Sequence, residues 1–180
     1  MATLALNPAT APLLSVEEYL STSFRPDRDY VDGVLEERNV GESEHGLIQN
    51  ELGFLFRLNE KAWGTRVIPE CRLQVGSSKF RVPDLVVLRR AQAFKRVIRE
   101  APLLCVEILS PEDTWTKLRV RLDEYIALGV ENIWCFDPIR REVRRYSADG
   151  YRPVAEAVLT IPGTPIAIDV AAVFAAQDED

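Results

Sequence analysis

The sequence has few of the residues from which disulfide scaffolds, zinc sites and histidine-based sites are built. Its three cysteines, Cys71, Cys105 and Cys135, stand singly in apolar surroundings, and none belongs to a CxxC pair. This usage is typical of reduced, buried thiols and predicts a cytoplasmic protein. His45 is the only histidine, so a metal site made of several imidazole ligands is excluded.

Long apolar stretches and an excess of positive charge are also missing. No stretch approaches the roughly 20 apolar residues that span a membrane, and residues 1–14 lack the positive charge of a secretory signal. Lys and Arg total 22 against 28 Asp and Glu, a formal net charge of -6. Because phosphate-binding proteins are usually basic, nucleic-acid binding would depend on local clusters. Three basic clusters, each either a solvated surface or a contact to nucleic acid, lie at residues 89–99, 117–121 and 140–145.

The length and composition are those of one soluble globular domain. The chain has 180 residues, of which 47% are hydrophobic and 28% charged. Residues 1–14, rich in Ala, Pro and Thr, predict a loose N-terminal arm. Strand-like and helix-like segments follow one another through the rest of the chain. We therefore predict a single α/β domain over residues 15–180.

Local signals in the first third of the chain predict two helices and a hairpin. Ser15 and Glu18 have the spacing of a capping box, which predicts a short helix reaching about Leu20. Asp32-Gly33, between β-prone pairs, predicts a hairpin turn. A long helix is expected over residues 44–63 and is ended by Gly64. Its predicted buried stripe consists of His45, Ile48, Leu52, Leu55 and Phe56.

The remaining segments alternate between strand and helix patterns. Strands are predicted over 66–75, 80–88 and 103–109, and the last two are apolar enough to be covered on both faces. The basic segment 89–101 between them is predicted to be helical. Further predicted elements are a helix over 114–128 closed by Gly129, a strand over 132–136, a hairpin at Asp149-Gly150, a β run over 157–168 and an Ala-rich helical turn.

Two carboxylates stand where apolar residues are expected. Asp84 begins the run Leu85–Leu88 directly after a proline, and Glu107 lies within the run 103–109. A bare carboxylate in such surroundings costs several kcal/mol unless it is protonated, paired or bound to a metal. One interpretation is a shared Mg²⁺ or Mn²⁺ ion, which prefers oxygen ligands. The other is structural: Asp84 caps a turn and Glu107 pairs with an arginine. Position alone leaves both open.

Three motifs, in this order, resemble the Uma-type restriction endonuclease family of the PD-(D/E)XK nuclease superfamily. They are Arg81-Val-Pro-Asp84, then Val106-Glu-Ile-Leu-Ser-Pro111, then Tyr125 followed by Gly129-Val-Glu-Asn-Ile-Trp134 and Asp137-Pro138. The resemblance covers about residues 15–151. It implies a restriction-endonuclease-like α/β fold, with a mixed central β-sheet flanked by helices, and a metal-dependent site that cleaves phosphodiester bonds in DNA.

The resemblance also implies roles for individual residues. Asp84 and Glu107 would bind Mg²⁺ or Mn²⁺. Position, and not the resemblance, makes Glu70 the candidate third acidic ligand, because it begins the strand beside the proposed site. The superfamily's strand lysine is replaced here by Leu109, and the helix position where this family often has a lysine is Arg121. Lys117, one helical turn earlier, could act in its place.

Two residues of the first long helix are candidates for contact with substrate. His45 corresponds to the histidine that commonly opens this helix in the family, and Glu51 is an acid near the edge of the buried stripe. A structural hydrogen bond for His45 and a surface position for Glu51 are the alternatives.

Two functional hypotheses follow. The first is a Mg²⁺-dependent DNA endonuclease, acting as a homodimer because duplex cleavage needs two cuts and symmetric pairs are the commonest assembly. The second is a catalytically decayed member of the fold that acts as an oligomeric nucleic-acid-binding or interaction protein.

Overall fold

A mixed six-stranded sheet forms the centre of the structure, a computed structural model that describes residues 13–38, 42–93 and 95–178. In chain order the elements are α1 (Val16–Ser21), β1 (Asp29–Val31), β2 (Val34–Glu36), α2 (Ser43–Leu58), α3 (Glu60–Trp63), β3 (Thr65–Pro69), β4 (Leu73–Gly76), β5 (Lys79–Arg81), β6 (Leu85–Arg89), β7 (Leu104–Ile108), α4 (Trp115–Leu128), β8 (Ile133–Asp137), β9 (Glu142–Ser147), β10 (Gly150–Pro153), β11 (Val158–Thr160), β12 (Ala167–Asp169) and α5 (Val170–Ala175). The central sheet has the order β10-β9-β8-β7-β6-β3. Only its β7–β8 pair is parallel.

Helices cover both faces of the central sheet, as the fold class predicts. Alternate residues of the strands point to opposite faces, so Val106 lies in one hydrophobic cluster and Cys105 in the other. The first cluster includes the buried apolar residues of α2 and α5. The second includes Leu118, Leu122 and Tyr125 of α4. The near-continuous apolar strands of the sequence thus occupy the middle layer of a three-layer fold.

A smaller antiparallel sheet, in the order β2-β1-β5-β4, lies beside the central one. The predicted Asp-Gly hairpin is present, with Val31 paired to Val34 across the turn. Asp32 and Gly33 have φ values of 49° and 95°, positive at both positions as a type I′ turn requires. A third, two-stranded sheet pairs β11 with β12 and confirms strand structure in the segment 157–168.

The predicted helix ends agree closely with the observed caps. Both halves of the Ser15–Glu18 capping box form. Gly64 and Gly129 have left-handed backbone conformations directly after α3 and α4. The predicted long helix over 44–63 is two consecutive helices, α2 and α3. The break lies at Asn59, whose side-chain amide donates to the Leu55 carbonyl.

The prediction of a helix over 89–101 is wrong: the described residues of this segment contain no helix. Ile98 instead forms an isolated bridge to Leu73, with backbone hydrogen bonds to Arg72 and Gln74. Val97 and Ile98 are both buried, yet they lie in different hydrophobic clusters. Adjacent side chains with opposite directions are typical of extended chain, because successive helical residues are only about 100° apart.

Two predicted strands are divided between the sheets. The run 66–75 separates into β3 and β4 at Glu70, whose φ is 47°. The run 80–88 separates into β5 and β6 around Pro83, which cannot donate a ladder hydrogen bond. Asp84 therefore stands where the chain passes from the small sheet to the central sheet.

Other sequence predictions concern cysteines, termini and membranes. Cys105 and Cys135 are buried free thiols as predicted, whereas Cys71 is only partly buried. Residues 1–12, most of the predicted arm, lie outside the described residues, and the single-domain boundary stays a prediction. Within the described ranges, no helix is long and apolar enough to cross a membrane.

The two Asp-Gly hairpins give a matched test of the first turn. Gly33 and Gly150 both have φ 95°, but a Cβ on Gly33 would lie 2.9 Å from Leu13 Cβ, whereas one on Gly150 would meet nothing within 4 Å. Alanine at either position pays about 1–2 kcal/mol for the left-handed backbone. We expect Gly33→Ala to lower the free energy of unfolding by about 1 kcal/mol more than Gly150→Ala, because of overpacking. Urea titration measures both. Equal losses would contradict the contact with Leu13.

Candidate functional site

The two unusual carboxylates lie next to each other on adjacent strands. Leu85 pairs with Val106 in the antiparallel register of β6 and β7, so Asp84, one residue earlier, is level with Glu107. Their exposed fractions are only 3% and 2%. Each carboxylate raises the cost of ionising the other, since like charges repel strongly away from water.

Asp84 is held by groups from three parts of the chain. Arg38, just beyond β2, donates from Nη2 to Oδ1 at 2.6 Å. The Ile108 backbone N–H donates to Oδ2 at 2.7 Å, and His45 Nε2 lies 3.4 Å from the same oxygen. Burial would raise the pKa of Asp84, but the His45 hydrogen bond and the Arg38 charge outweigh it and hold that pKa below its usual value. Asp84 is therefore ionised.

Glu107 is held by two side chains of α4. Arg121 Nη1 donates to Oε2 at 2.8 Å, and the Tyr125 hydroxyl donates to Oε1 at 2.6 Å. Burial raises the pKa of Glu107 to about 7, and the nearby charge of Asp84 acts in the same direction. Arg121 and Tyr125 oppose this rise only in part. The pKa values of the two neighbouring acids are thus shifted in opposite directions.

A second layer of charge supports this pair. Asp29 accepts from the Val82 backbone at 2.8 Å and from Arg81 at 3.0 Å. It also lies 3.4 Å from Arg121 Nε, which links it to Glu107. The buried Arg81 side chain further contacts two acids at 2.6 Å, Glu36 and Glu124. Charge-assisted hydrogen bonds therefore offset the burial cost of Arg81 and Asp29, whereas the buried Nε of Arg121 makes no hydrogen bond among the described residues.

Glu70 reaches the site through its backbone and through Arg38. Its N–H donates to the Asp84 carbonyl at 3.2 Å. Its side chain is about half exposed, and Oε1 lies 3.4 Å from Arg38 Nη1. Gln49 completes this side, with Nε2 donating to the Asp84 carbonyl at 3.0 Å. Arg38 therefore bridges the two acids, Glu70 and Asp84, that the sequence assigned to metal binding.

Lys117 and Glu51 lie farther from the carboxylate pair. Lys117 lines a cleft of about 540 Å³ together with Arg81 and Arg121. Its own amine has no ion pair within the described ranges. Glu51 has no hydrogen bond or ion pair to Asp84 or Glu107 among the contacts of the described residues. In the structure Arg121 thus contacts Glu107 and His45 contacts Asp84, whereas Glu51 contacts neither acid among the described residues.

The chemistry of the two carboxylates fits a hard divalent cation. No group of three His, Cys, Asp or Glu side chains that could hold a metal occurs in the part of the chain that the structure describes. Mg²⁺, however, is usually bound by one or two carboxylates, with water and substrate phosphates filling its other positions. Asp84 and Glu107 meet that requirement. An ion would compete with Arg38 and Arg121, which donate to the same carboxylates.

Sequence reasoning gave no site role to Tyr125, Gln49, Arg38 or Asp29. Gln49 follows His45 by four residues, so helical spacing could have placed both on one face. Arg38 and Asp29 carry no comparable signal, because Arg38 meets Asp84 and Asp29 meets Arg121 only through tertiary packing. Their position depends on how the hairpin packs against the central sheet, which local sequence does not reveal.

Comparisons with known proteins agree with this architecture. The sequence profile of the Uma2 family, described as a putative restriction endonuclease, matches residues 16–168. The fold is similar to the crystal structure of a putative nuclease belonging to DUF820 from Anabaena variabilis, with a TM-score of 0.77. The two sequences are 19% identical, and the match covers 91% of this chain and 98% of that one. No curated protein matches the chain significantly.

Removal of the Tyr125 hydroxyl tests the hydrogen bond that it donates to Glu107. We expect Tyr125→Phe to lower the free energy of unfolding by about 1–3 kcal/mol, because a buried carboxylate oxygen loses its donor. Tyr146→Phe is the matched control, since the Tyr146 hydroxyl donates to Asp123, whose side chain is more than half exposed. Its loss should be smaller, because water can replace the donor. Equal losses in urea unfolding would contradict the buried contact.

The raised pKa of Glu107 predicts how stability changes with pH. The folded pKa of about 7 exceeds the ordinary value of 4.5, so folding favours the protonated acid and loses stability as pH rises between these values. His45, whose pKa is also raised, acts in the same direction. We expect urea unfolding in EDTA to show a smaller loss between pH 5 and pH 8 for Glu107→Gln than for the unaltered protein. An identical pH dependence would contradict the assignment.

Proposed function

The chain belongs to the Uma2 family of restriction-endonuclease-like proteins, and on this premise we propose that it is a divalent-metal-dependent endonuclease that hydrolyses phosphodiester bonds in DNA. One observation carries the proposal: two buried acids on adjacent strands, Asp84 and Glu107, each in contact with an arginine. Negative groups for a cation and positive groups for a phosphate lie together, as phosphodiester hydrolysis requires.

Asp84 and Glu107 would hold the ion, and Glu70 is the proposed third acid. Mg²⁺ or Mn²⁺, when bound, supplies positive charge to a phosphate oxygen and lowers the pKa of a water molecule. His45 acts on Asp84: its raised pKa favours the protonated imidazole, which keeps a donor directed at the carboxylate. Its proposed role is therefore to position and keep ionised an acid that binds the ion.

Arg121 and Lys117 would contact the phosphate. Arg121 both holds Glu107 and lines the cleft on that side. A guanidinium cannot act as a base at accessible pH, so its contribution is charge and orientation. Lys117 lies one helical turn earlier, with its side chain exposed and unpaired in the described structure. It can therefore approach a phosphate without breaking an existing ion pair.

The basic clusters differ in how much charge they leave for DNA. Each arginine of the 140–145 cluster contacts an acid of its own. Lys117 and the arginines at 89, 90 and 96 have no such partner among the ion pairs of the described residues. Because an acidic protein needs concentrated positive charge to bind a phosphate backbone, we propose that DNA approaches over clusters 117–121 and 89–99.

We also propose that the protein acts in the cytoplasm, which its buried free thiols support. We propose further that it acts as a homodimer.

A second function is favoured by a different observation. Every oxygen of the Asp84 and Glu107 carboxylates already accepts a hydrogen bond from the protein or lies against His45, and Leu109 replaces the superfamily's strand lysine. A chain whose arginines permanently neutralise these acids would bind nucleic acid or partners without cleaving.

A cleavage assay with a metal-binding assay separates the two functions. We expect plasmid and short duplex DNA to be cut in Mg²⁺ or Mn²⁺, and both Asp84→Asn and Glu107→Gln to reduce the rate at least about 100-fold through lost charge stabilisation. Mn²⁺ should also raise the thermal stability of the unaltered protein, by about 2.7 kcal/mol at 100 times its Kd.

The control is Glu131→Gln, which alters an exposed acid and should change neither result. Loss of the Mn²⁺ effect in the two site variants would support a resident ion without reference to catalysis. Equal background cleavage in every variant, with no Mn²⁺ stabilisation, would contradict the endonuclease and favour the non-catalytic function.

A further inference from the structure

The Arg38 side chain contacts two of the acids that would hold a metal ion. Its Nη2 donates to Asp84 Oδ1 at 2.6 Å, and its Nη1 donates to Glu70 Oε1 at 3.4 Å. Only 9% of the Arg38 side chain and 4% of the Asp84 side chain are exposed. The guanidinium therefore supplies a buried positive charge at the place where the proposed ligands Asp84 and Glu70 approach each other.

The two arginines of the site differ in their remaining contacts. Arg121 donates to Glu107 and also lies 3.4 Å from Asp29. Asp29 is not a proposed ligand, so an ion at the site would leave Arg121 one of these two acids. Both acids that pair with Arg38 are proposed ligands. An ion that binds them therefore takes both of these ion pairs from Arg38.

The Asp84 carboxylate does not depend on Arg38 for its position. The Ile108 backbone N–H donates to Oδ2 at 2.7 Å, and His45 Nε2 lies 3.4 Å from the same oxygen. Arg38 contacts the other oxygen, Oδ1. Removal of the guanidinium therefore frees Oδ1 while the contacts that fix Oδ2 remain.

A guanidinium and a divalent cation compete for these oxygens. Arginine stays charged at accessible pH, so Arg38 cannot leave Asp84 by losing a proton. Two positive groups on one buried carboxylate also repel each other strongly. The Glu70 side chain is 52% exposed, which gives the guanidinium a path to water beside the site.

We propose that Arg38 is an exchangeable counter-ion that closes the candidate metal site, pairing with Asp84 and Glu70 until a divalent cation displaces it. This inference rests on the metal site proposed above and concerns its regulation. An arriving ion must replace an ion pair that the folded chain already makes, which lowers the apparent affinity for the ion. At low ion concentration the same pair keeps the buried charge of Asp84 neutralised and the fold stable.

Metal binding in the absence of DNA tests the exchange. We expect Arg38→Met, which removes the charge and keeps an unbranched side chain, to bind Mn²⁺ at least about tenfold more tightly than the unaltered protein. Isothermal titration calorimetry measures both affinities. Arg28→Met is the matched control and should leave the affinity unchanged, because Arg28 precedes the same hairpin and pairs with Glu37, outside the site, at 3.2 Å. Adding Asp84→Asn to Arg38→Met should abolish the gain.

Thermal unfolding provides a second measurement. In EDTA, Arg38→Met should unfold at a lower temperature than the unaltered protein, because Asp84 loses a buried counter-charge. Mn²⁺ should raise the unfolding temperature of the variant by more than that of the unaltered protein, since the ion replaces the missing charge. A variant that folds only in Mn²⁺ would also support the exchange. If Arg38→Met folds in neither condition, Arg38→Lys decides: one ammonium cannot reproduce the two-pronged contact, so this variant should also bind Mn²⁺ more tightly.

The proposal is overturned if the folded variant binds Mn²⁺ no more tightly than the unaltered protein, or if the gain survives Asp84→Asn. Should the unaltered protein cleave DNA while the variant shows no gain, the endonuclease stands and the exchange is excluded. Should the unaltered protein neither bind Mn²⁺ nor cleave DNA while Arg38→Met binds the ion, the exchange is supported and the endonuclease is excluded. The two proposals therefore fail separately.

Discussion

Two carboxylates buried side by side are the constraint on which the rest of this structure depends. Asp84 and Glu107 are level on adjacent strands and almost wholly removed from water, where like charges repel most strongly. Donors from separate parts of the chain contact these acids: Arg38 and His45 contact Asp84, and Arg121 contacts Glu107. Removing any one donor would leave a charge that burial makes expensive.

The need to pair these buried carboxylates explains why ion pairs connect the small sheet to the central sheet and α4. Arg81 and Asp29, from the paired strands β5 and β1, extend the charge network of the carboxylates to α4 through Arg121. Arg38 follows the hairpin directly and reaches Asp84. The hairpin therefore supplies charged groups that stabilise the candidate site. The same ion pairs contribute to the stability of the fold and to the arrangement of the site.

The sequence predicted the sheet strands, the capped helices and the two acids, because these depend on local periodicity and on charge in apolar runs. Arg121 was indicated by the family resemblance alone, and in the structure its guanidinium donates to Glu107. Arg38 and Asp29 could not be found, because their role arises only when two sheets pack together. The segment 89–101 was mistaken for a helix, since its charges concealed an extended chain whose burial comes from tertiary contacts.

The segment 89–101 connects two hydrophobic clusters through adjacent side chains. Val97 belongs to the cluster of the small sheet and Ile98 to that of α4 and the central sheet, while backbone hydrogen bonds attach Ile98 beside β4. Side chains in extended chain reverse direction at every residue. A shift of one residue in the register of this pair against β4 would exchange the two inward directions, whereas a shift of two would keep them. The register of Val97 and Ile98 is thus restricted more tightly than the composition of the basic stretch.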